Sequence, residues 1–226
     1  MPSRLNPWPS FVDLFSALLV AFFAGFIMLS SSYKQEHEEK ERVKGEITKI
    51  RQEANKITEK LHKSLEGSGL KGKVSPCGED TCIHLDIHFI TDEDKIYSQD
   101  EINAIKDICA IIKQGLDHLP PDQRKDVEIV IEGHTDNKQI SASYGDRAQY
   151  LYNWNLSAQR ATSVLYEFRN CGLQPPDYQI VAIGYADSVP LCKEDNEECN
   201  KQNRRTTLRL RVDTHRIEER LSQNKN

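Results

Sequence analysis

The sequence has no excess of positive charge, which excludes one broad class of partner at the outset. Lys and Arg together number 30 against 35 for Asp and Glu, so the net charge at pH 7 is −5. A protein that holds a polyanion neutralises its phosphates with clustered basic side chains and releases counterions. Because this chain has no global basic field, nucleic acid is not an expected partner.

The cysteines are not spaced for metal binding. Six are present, and four of them form two short brackets, Cys77 with Cys82 and Cys192 with Cys199. Neither bracket has the CxxC spacing of a zinc site, and no histidines stand where they would complete one. In an oxidising compartment the brackets predict two local disulfides, whereas in a reducing cytosol the same four residues would be free thiols.

The other two cysteines belong to the helical part of the pattern. Cys109 lies within one predicted helix and Cys171 just after another, so the two can bridge helices packed on one sheet face; the alternative is that they stay unpaired. The sequence also lacks a nucleophile and a base at usable spacing. We therefore expect no enzyme, no metal and no other cofactor.

One long apolar run is present in a chain whose charged fraction is 29%. Residues 11–33 are apolar except for Asp13 and Ser16 until the run fades into serines. A bilayer-spanning helix requires about 20 apolar residues, so this stretch is just long enough to be a transmembrane helix. The alternative, a cleavable signal peptide, fits less well because residues 1–10 carry only Arg4 and the amino terminus as positive charges.

The same few charges predict the orientation. By the positive-inside rule, residues 1–10 form a cytoplasmic tail and the long downstream sequence is translocated. Disulfides in the downstream part require the same orientation, because they form in an oxidising compartment.

Residues 34–66 form a highly charged, helix-prone linker without proline. Its apolar residues recur every three or four positions, which is nearly a heptad seam and favours a parallel coiled coil of two copies. These residues are Val43, Ile47, Ile50, Ala54, Ile57, Leu61 and Leu65. The alternative is a single solvated helix. Glycines from Gly67 onward and Pro76 then predict a hinge before the folded domain.

The folded domain is predicted at residues 73–213, with a charged tail at 214–226. Strands are expected at 83–89, 127–133, 178–184 and 207–212. Ser98 and Glu101 form a capping box that opens a helix ending before Pro120. The apolar stripe of this helix comprises Ile102, Ile105, Cys109, Ile112 and Leu116. Ser157 is the expected N-cap of a second helix. This β-α-β-α-β-β order predicts an α+β fold with one mixed sheet and helices on one face.

Four sequence motifs follow one another in the second half of the chain. They are GHTD at 133–136, NWNLSAQRA at 153–161, GYADSVP at 184–190 and NRR at 203–205. Together they resemble the signature of the OmpA C-terminal domain family, and the NWNLSAQRA motif is most similar to its MotB branch. The resemblance covers residues 127–212 and implies a domain that binds peptidoglycan. The chain departs from the family pattern where a second glycine usually follows Tyr185, and in the acidic loop between Cys192 and Cys199.

The resemblance also implies a binding site. In the family, the aspartate of GHTD receives the ammonium group of a diaminopimelate side chain and the arginine of the LSxxRA motif receives its carboxylate. These positions are Asp136 and Arg160 here. Asn153 and Leu156 lie where the family lines the same pocket. Without the resemblance, Asp136 would be read as a loop cap and Arg160 as the partner of a surface acid.

Further residues are expected close to this pocket. Thr135 and Asn137 can add hydrogen bonds to the ligand, and Ser157 as an N-cap would leave backbone N–H groups facing an anion. His134 is expected to be a packed, hydrogen-bonded turn residue. Arg204 and Arg205 are expected to brace the last strand and the neighbouring loops.

The order of segments is similar to that of MotB-like stator subunits, with a brief tail, one span bearing an early Asp, a helical linker and a wall-binding domain. This resemblance implies that Asp13 carries a proton or a sodium ion past a multi-span MotA-like partner. It also implies a homodimer in the bacterial inner membrane with its C-terminal domain in the periplasm. An ionisable residue inside a membrane helix is usually functional. The alternative for Asp13 is an interfacial acid near the lipid headgroups.

Within the MotB branch, the chain resembles the wall-binding subunits of Zorya anti-phage defence motors. The similarity rests on the brief tail and on the Tyr-Asn-x-x-Leu run at 152–156, which adds Tyr152 to the expected pocket. A flagellar or gliding stator, and a passive membrane-to-wall anchor without ion flow, are the alternative functions.

Overall fold

The computed structural model of the chain forms two compact units, one up to Glu46 and one from Ile47 onward. The residues that it describes are 8–66, 72–77, 80–85, 87, 89, 96, 98–138 and 145–223. Predictions for the first seven residues and for the hinge at 67–71 lie outside this part of the chain. The pairing of Cys77 with Cys82 concerns side chains that also lie outside it.

A single α-helix, α1, extends from Trp8 to Glu66. From Phe11 to Tyr33 its large apolar side chains are all exposed. Exposed apolar surface of this extent is costly in water and marks an interaction site. The segment from Phe11 onward is long and apolar enough to cross a membrane. Asp13 lies near the start of this segment.

The last part of α1 belongs to the second unit and packs into its core. Ile50, Ala54, Ile57 and Leu61 are each exposed by 4% or less. Their spacing of three and four residues puts them on one helix face, and this face contacts the domain's apolar core. The seam therefore has its partner within the same chain, so the two-chain coil predicted for these residues is wrong in this structure. The folded unit also begins earlier than residue 73.

Five strands form one mixed sheet in the spatial order β1-β2-β5-β3-β4. Strands β3 and β4 are parallel, and the other neighbouring pairs are antiparallel. The strands are β1 (Gly72–Cys77), β2 (Asp80–Leu85), β3 (Val127–Gly133), β4 (Gln179–Gly184) and β5 (Thr206–Val212). The predicted mixed sheet is confirmed, and β1 is an additional strand that pairs with β2.

Four further helices complete the second unit. They are α2 (Gln99–Asp117), α3 (Gly145–Asn170), α4 (Glu197–Asn203) and α5 (Thr214–Gln223). Ser98 is the N-cap of α2 as predicted, and its side chain accepts a hydrogen bond from the Asp100 backbone N–H at 3.1 Å. The α2 residues that face the core include Ile105, Cys109, Ile112 and Leu116, each with no exposed surface.

The two faces of β3 differ as a half-polar strand requires. Val127, Ile129 and Ile131 are fully buried in the apolar core under the helices. On the opposite face, Glu128 pairs with Arg211 and Glu132 pairs with Arg209 of β5. Alternation of side chains along the strand separates these two sets. The helices thus cover one face and ion pairs cover the other.

Two disulfides tie the helices and loops together. Cys109 of α2 is bonded to Cys171, just after α3, with the two Cα atoms 6.5 Å apart. Cys192 is bonded to Cys199 of α4, with the Cα atoms 5.2 Å apart. The predicted local disulfide between Cys192 and Cys199 is confirmed. The disulfide between Cys109 and Cys171, which the sequence left open, is formed.

The C-terminal segment is not a charged tail as predicted, because α5 packs on the domain. Ile217 is fully buried, and Arg220 reaches the fully buried Asp126, with its NH2 atom 2.6 Å from Oδ2. Burial raises the pKa of Asp126 and outweighs the lowering effect of the Arg220 guanidinium. Two apolar residues in ten, Ile217 and Leu221, were too weak a signal to predict this docking from periodicity.

Candidate functional site

The parallel strands β3 and β4 end at glycines because α3 crosses them closely. A Cβ atom on Gly133 would lie 2.0 Å from the Ser157 carbonyl oxygen, and one on Gly184 would lie 2.6 Å from the Ala158 nitrogen. Only glycine allows this approach. Ser157 Oγ accepts a hydrogen bond from the Ala186 backbone N–H at 3.0 Å, which fixes α3 over the strand ends.

Ser157 is therefore not an N-cap, and the sequence prediction on this point is wrong. Helix α3 begins at Gly145, so Ser157 lies within it, fully buried, with its hydroxyl donating to the Trp154 carbonyl at 3.0 Å. Its neighbouring backbone N–H groups lie in the helix interior and do not face a ligand. A serine inside a helix can carry the same local sequence as a serine that begins one.

The GHTD segment continues from β3 into a loop held by the neighbouring strands. The His134 backbone N–H donates to the Arg205 carbonyl at 3.0 Å, and the Thr135 N–H donates to the Ala186 carbonyl at 2.9 Å. These contacts place Asp136 at the end of the sheet with only 7% of its surface exposed. Its Oδ1 atom accepts the Lys138 backbone N–H at 3.2 Å.

Asp136 has a cationic partner in the structure, which is Arg204. Arg204 NH1 lies 2.5 Å from Asp136 Oδ2, while its NH2 atom lies 2.7 Å from Glu197 Oε1. Glu197 in turn accepts from Lys138 Nζ at 2.6 Å. The Lys138 and Arg204 cations lower the pKa of Glu197 to about 2. These four side chains form an alternating chain of charges at the edge of the site.

The acidic loop presents Glu197 to this chain of charges. Its Cys192–Cys199 disulfide closes the loop, and the Asn203 side chain accepts from the Leu191 and Cys192 N–H groups at 2.9 and 3.1 Å. Asn203 Nδ2 also donates to the Cys192 carbonyl at 2.9 Å. The departure from the family pattern thus has a defined structure next to Asp136.

A pocket of about 180 Å³ is lined in part by Arg204, the ion-pair partner of Asp136. The residues that line it are Ile87, Phe89, His134, Arg160, Lys201, Arg204 and Arg205. The Arg160 guanidinium lies over the Phe89 ring, 5.0 Å from its centroid. A cation above an aromatic face is attracted by the ring's negative potential. Arg160 therefore lines this pocket, and Arg204 connects the pocket to Asp136.

The other predicted ligand residues support the site and do not line the described pocket. Asn153 Nδ2 donates to the carbonyls of Asp136 and Lys138, at 3.2 and 3.3 Å, and so holds the loop. Leu156 is exposed by only 8% and Thr135 by 3%. Asn137 is exposed beside Asp136, and Tyr152 is half-buried on α3.

Two buried polar groups form the inner wall of the pocket. His134 is exposed by 2%, stacks on Tyr185 with ring centroids 5.4 Å apart, and burial lowers its pKa. The residue is packed and its backbone N–H is hydrogen-bonded, but neither of its ring nitrogens has a hydrogen-bond partner among the described residues. Arg205 is exposed by 8%, and burial lowers its pKa to about 10.

Sequence reasoning did not anticipate Phe89, Lys201, Lys138 and Glu197. Arg204 and Arg205 were expected only as braces, although the NRR motif pointed to them. The acidic loop was visible as a departure from the family pattern. Its contacts depend on the fold, because Lys138 and Glu197 are far apart in sequence.

The folded unit belongs to a known family. The OmpA family matches residues 89–204, slightly more than half of the chain. The chain therefore belongs to the OmpA family. With its one apolar helix among the described residues, it also fits a single-pass membrane protein.

Individual relatives agree with this membership. The chain is 25% identical over 174 residues to the uncharacterised protein YtxE of Bacillus subtilis, covering 76% of this chain and 65% of that protein. It is 32% identical over 107 residues to the outer-membrane lipoprotein YfiB of Pseudomonas aeruginosa, covering 42% of this chain and 57% of that protein. The chain thus spans less than two thirds of the length of each of these relatives.

A solved structure shares the fold. The crystal structure of a protein described as MotB-like from Desulfovibrio vulgaris matches with a TM-score of 0.53 at 21% identity. The match covers 75% of this chain and 95% of that one. At this identity the likeness concerns the fold alone.

Proposed function

We propose that the folded unit binds peptidoglycan at the pocket beside Asp136, with Asp136 receiving an ammonium group and Arg160 a carboxylate. Peptidoglycan stem peptides that contain diaminopimelate present both groups side by side at the end of one side chain. A guanidinium that lines the pocket and a carboxylate that contacts one of its lining residues would match such a zwitterion through charge-assisted hydrogen bonds.

The observation that carries this proposal is the position of Arg204. Arg204 lines the pocket together with Arg160 and contacts Asp136 at 2.5 Å, so a nearly buried carboxylate lies at the edge of a cationic cavity. An ionised carboxylate can accept about four hydrogen bonds. Arg204 and the Lys138 N–H use part of this capacity, which leaves Asp136 able to accept from a ligand ammonium.

The proposal is tested by sedimenting the full-length protein, in detergent micelles, with purified peptidoglycan. Losing one partner of a desolvated charge pair costs about 2–5 kcal/mol, so Arg160→Ala should reduce binding by at least about thirtyfold. Arg169→Ala is the matched control, because Arg169 is an exposed arginine in the last turn of the same helix. The control should sediment like the wild type.

Two outcomes would count against the proposal. Wild-type sedimentation of a folded Arg160→Ala variant would remove Arg160 from the site. An equal loss in Arg169→Ala would mean that binding reflects general positive charge instead of a specific pocket. Asp136→Asn should repeat the Arg160→Ala result, since it removes the anionic half of the pair.

We propose further that the chain is the wall-anchored subunit of an ion-driven motor. Asp13 would carry a proton or a sodium ion, and a multi-span MotA-like protein would be the partner. The support is the order of an apolar helix bearing Asp13, a charged helical segment and an OmpA-family domain. A carboxylate in an apolar helix is costly unless it has a partner or a function.

In this proposal the apolar helix spans the inner membrane, with the N-terminus in the cytoplasm and the folded unit in the periplasm. Two disulfides in the folded unit support an oxidising compartment. Anti-phage defence is the process we expect the motor to drive. A passive anchor without ion flow would have the same wall-binding domain but would not require Asp13.

A further inference from the structure

The pocket contains more positive charge than one zwitterion needs. Of its lining cations, Arg204 is neutralised by Asp136 and Glu197. Lys201 and Arg205 make no ion pair with an acid in the described part of the chain. Among the described residues, Arg205 donates hydrogen bonds to two backbone carbonyls, those of Val189 at 3.0 Å and Asn203 at 3.4 Å.

Arg205 is the more unusual of these two cations because it is nearly buried. Its Nε atom is buried and has no hydrogen-bond partner among the described residues. A buried charge without a hydrogen-bonded opposite charge is destabilising, and burial lowers the pKa of Arg205 to about 10 even though the more distant Glu132 carboxylate acts to raise it. Such a group gains most from an anionic ligand that supplies the missing acceptor.

His134 adds a second unsatisfied group to the same wall. Its ring is 2% exposed, and both ring nitrogens lack a hydrogen-bond partner among the described residues. Glu132 lies 3.7 Å away, too far for a hydrogen bond, and it is engaged by Arg209 at 2.5 Å. A neutral imidazole carries one N–H donor, so His134 can donate to an anion in the pocket.

The charges of the pocket indicate which charged groups a ligand would carry. A zwitterionic terminus places its ammonium on Asp136 and its carboxylate on Arg160, which leaves Lys201 and Arg205 unmatched. We propose that the pocket binds a second carboxylate of the same wall peptide, held between Lys201 and Arg205. This proposal rests on the proposed wall binding and makes Lys201 a specificity-determining residue.

The second carboxylate is the one that a stem peptide carries on the glutamate preceding its diamino acid. Where that carboxylate is amidated, the ligand keeps its shape but loses the charge. The chain should therefore prefer peptidoglycan whose glutamate carboxylate is free. Lys201 is exposed on α4, so its replacement leaves the apolar core intact.

The test is a calorimetric titration of the full-length protein in detergent micelles at fixed ionic strength. The ligands are two synthetic stem tetrapeptides containing diaminopimelate, with the glutamate carboxylate free in one and amidated in the other. Both carry a C-terminal amide. A charge-assisted hydrogen bond contributes about 1.5–3 kcal/mol, so the wild type should bind the free peptide at least about tenfold more tightly.

The variant Lys201→Gln, titrated with the same two peptides, completes a double-mutant cycle. It should bind the free peptide about tenfold more weakly than the wild type, and amidation should then cost less than it costs the wild type, because the Lys201 contact is already lost and only the Arg205 contact remains. Lys193→Gln is the control, because Lys193 is an exposed lysine in the loop before α4 that does not line the pocket. This variant should keep the full preference for the free peptide.

Each contrary result has a definite meaning. Equal wild-type affinity for the two peptides, or losses that multiply in Lys201→Gln, would overturn the second carboxylate site. If in that case Arg160→Ala still abolishes binding of both peptides, the proposed wall binding stands alone. Failure of the wild type to bind either peptide would overturn both proposals together.

Discussion

The two ends of helix α1 use apolar residues in different ways. In the stretch that begins at Phe11, apolar side chains occur on every side of the helix and all are exposed. Between Ile47 and Leu61 they occupy one side only, and four of them are exposed by 4% or less. The first pattern suits a uniform apolar environment, and the second suits one protein surface.

Because of this difference, the periodicity of apolar residues alone does not identify the surface against which a helix packs. A stripe at spacings of three and four residues is compatible with a second helix copy and with the chain's own domain. Here the domain provides the surface, because α2 presents Gly115 where Ile57 packs. The length of the seam, which is near the minimum for a coiled coil, was the weak point of the two-chain prediction.

The largest expected effect concerns the charged residue in the exposed half. Under the proposed motor function, Asp13→Asn should abolish phage protection while leaving membrane insertion and wall binding unchanged, since Asn resembles the neutral, ion-loaded form but cannot release an ion. The measurement is phage protection, with co-purification of the MotA-like partner as the assembly check. Ser16→Ala, on the same helix, should keep activity.

Full protection by an Asp13→Asn variant would contradict the motor and favour the passive anchor. Loss of activity in Ser16→Ala as well would mean that the helix is generally intolerant of change, so Asp13 would have no special role.

The next effect compares two leucines in the two halves directly. Leu61→Ala should destabilise the folded unit by about 2–5 kcal/mol, because it leaves a cavity in the core. Leu18→Ala should change its stability by less than about 0.5 kcal/mol, since the Leu18 side chain is exposed. Urea unfolding of the full-length protein in micelles measures both. Equal effects at the two positions would mean that residues 50–61 are not docked as described.

A smaller effect tests the contact between α1 and α2. A Cβ atom at Gly115 would lie 2.3 Å from Ile57 Cγ1, so Gly115→Ala should destabilise the unit by about 1–3 kcal/mol through overpacking. In an Ile57→Ala background the same change should be stabilising, because alanine is favoured over glycine in a helix. If Gly115→Ala has one sign in both backgrounds, the two residues are not in contact.

The smallest effect is the pH dependence contributed by His134. Burial lowers its pKa in the folded unit below the ordinary value of 6.5, so the unfolded chain binds the proton first. The resulting stability is present above pH 6.5 and is lost as pH falls through the lower folded pKa. His134→Asn should therefore lose less stability than the wild type between pH 7.5 and pH 5 in urea titrations. Identical losses would show that His134 is not buried as a neutral ring.

Much of the fold followed from local patterns. Strand β3 has the predicted bounds, and Ser98 caps α2, because alternation and capping are local signals. The predictions for the start of α3 and for the C-terminal segment were wrong, because both features depend on contacts between residues distant in sequence. The Ser157 hydroxyl accepts a hydrogen bond from the Ala186 backbone N–H. Ile217 is the only fully buried apolar side chain of α5.

The candidate site likewise has a part that the sequence predicted and a part that it did not. The family motifs predicted Asp136 and Arg160, and Arg160 lines the pocket. The contact of Arg204 with Asp136 and the position of Lys201 could not be predicted, because they depend on how the disulfide-closed loop folds back. The sequence marked that loop as a departure from the family but did not indicate which charges it would contact.

The most direct test of the central claim is a crystal structure of the protein with a bound stem peptide containing diaminopimelate. Wall binding at the described pocket predicts the side-chain ammonium within hydrogen-bond distance of Asp136, about 2.7–3.2 Å, and the adjacent carboxylate on the Arg160 guanidinium. A peptide bound elsewhere on the folded unit, with Asp136 and Arg160 free of it, would contradict the assignment.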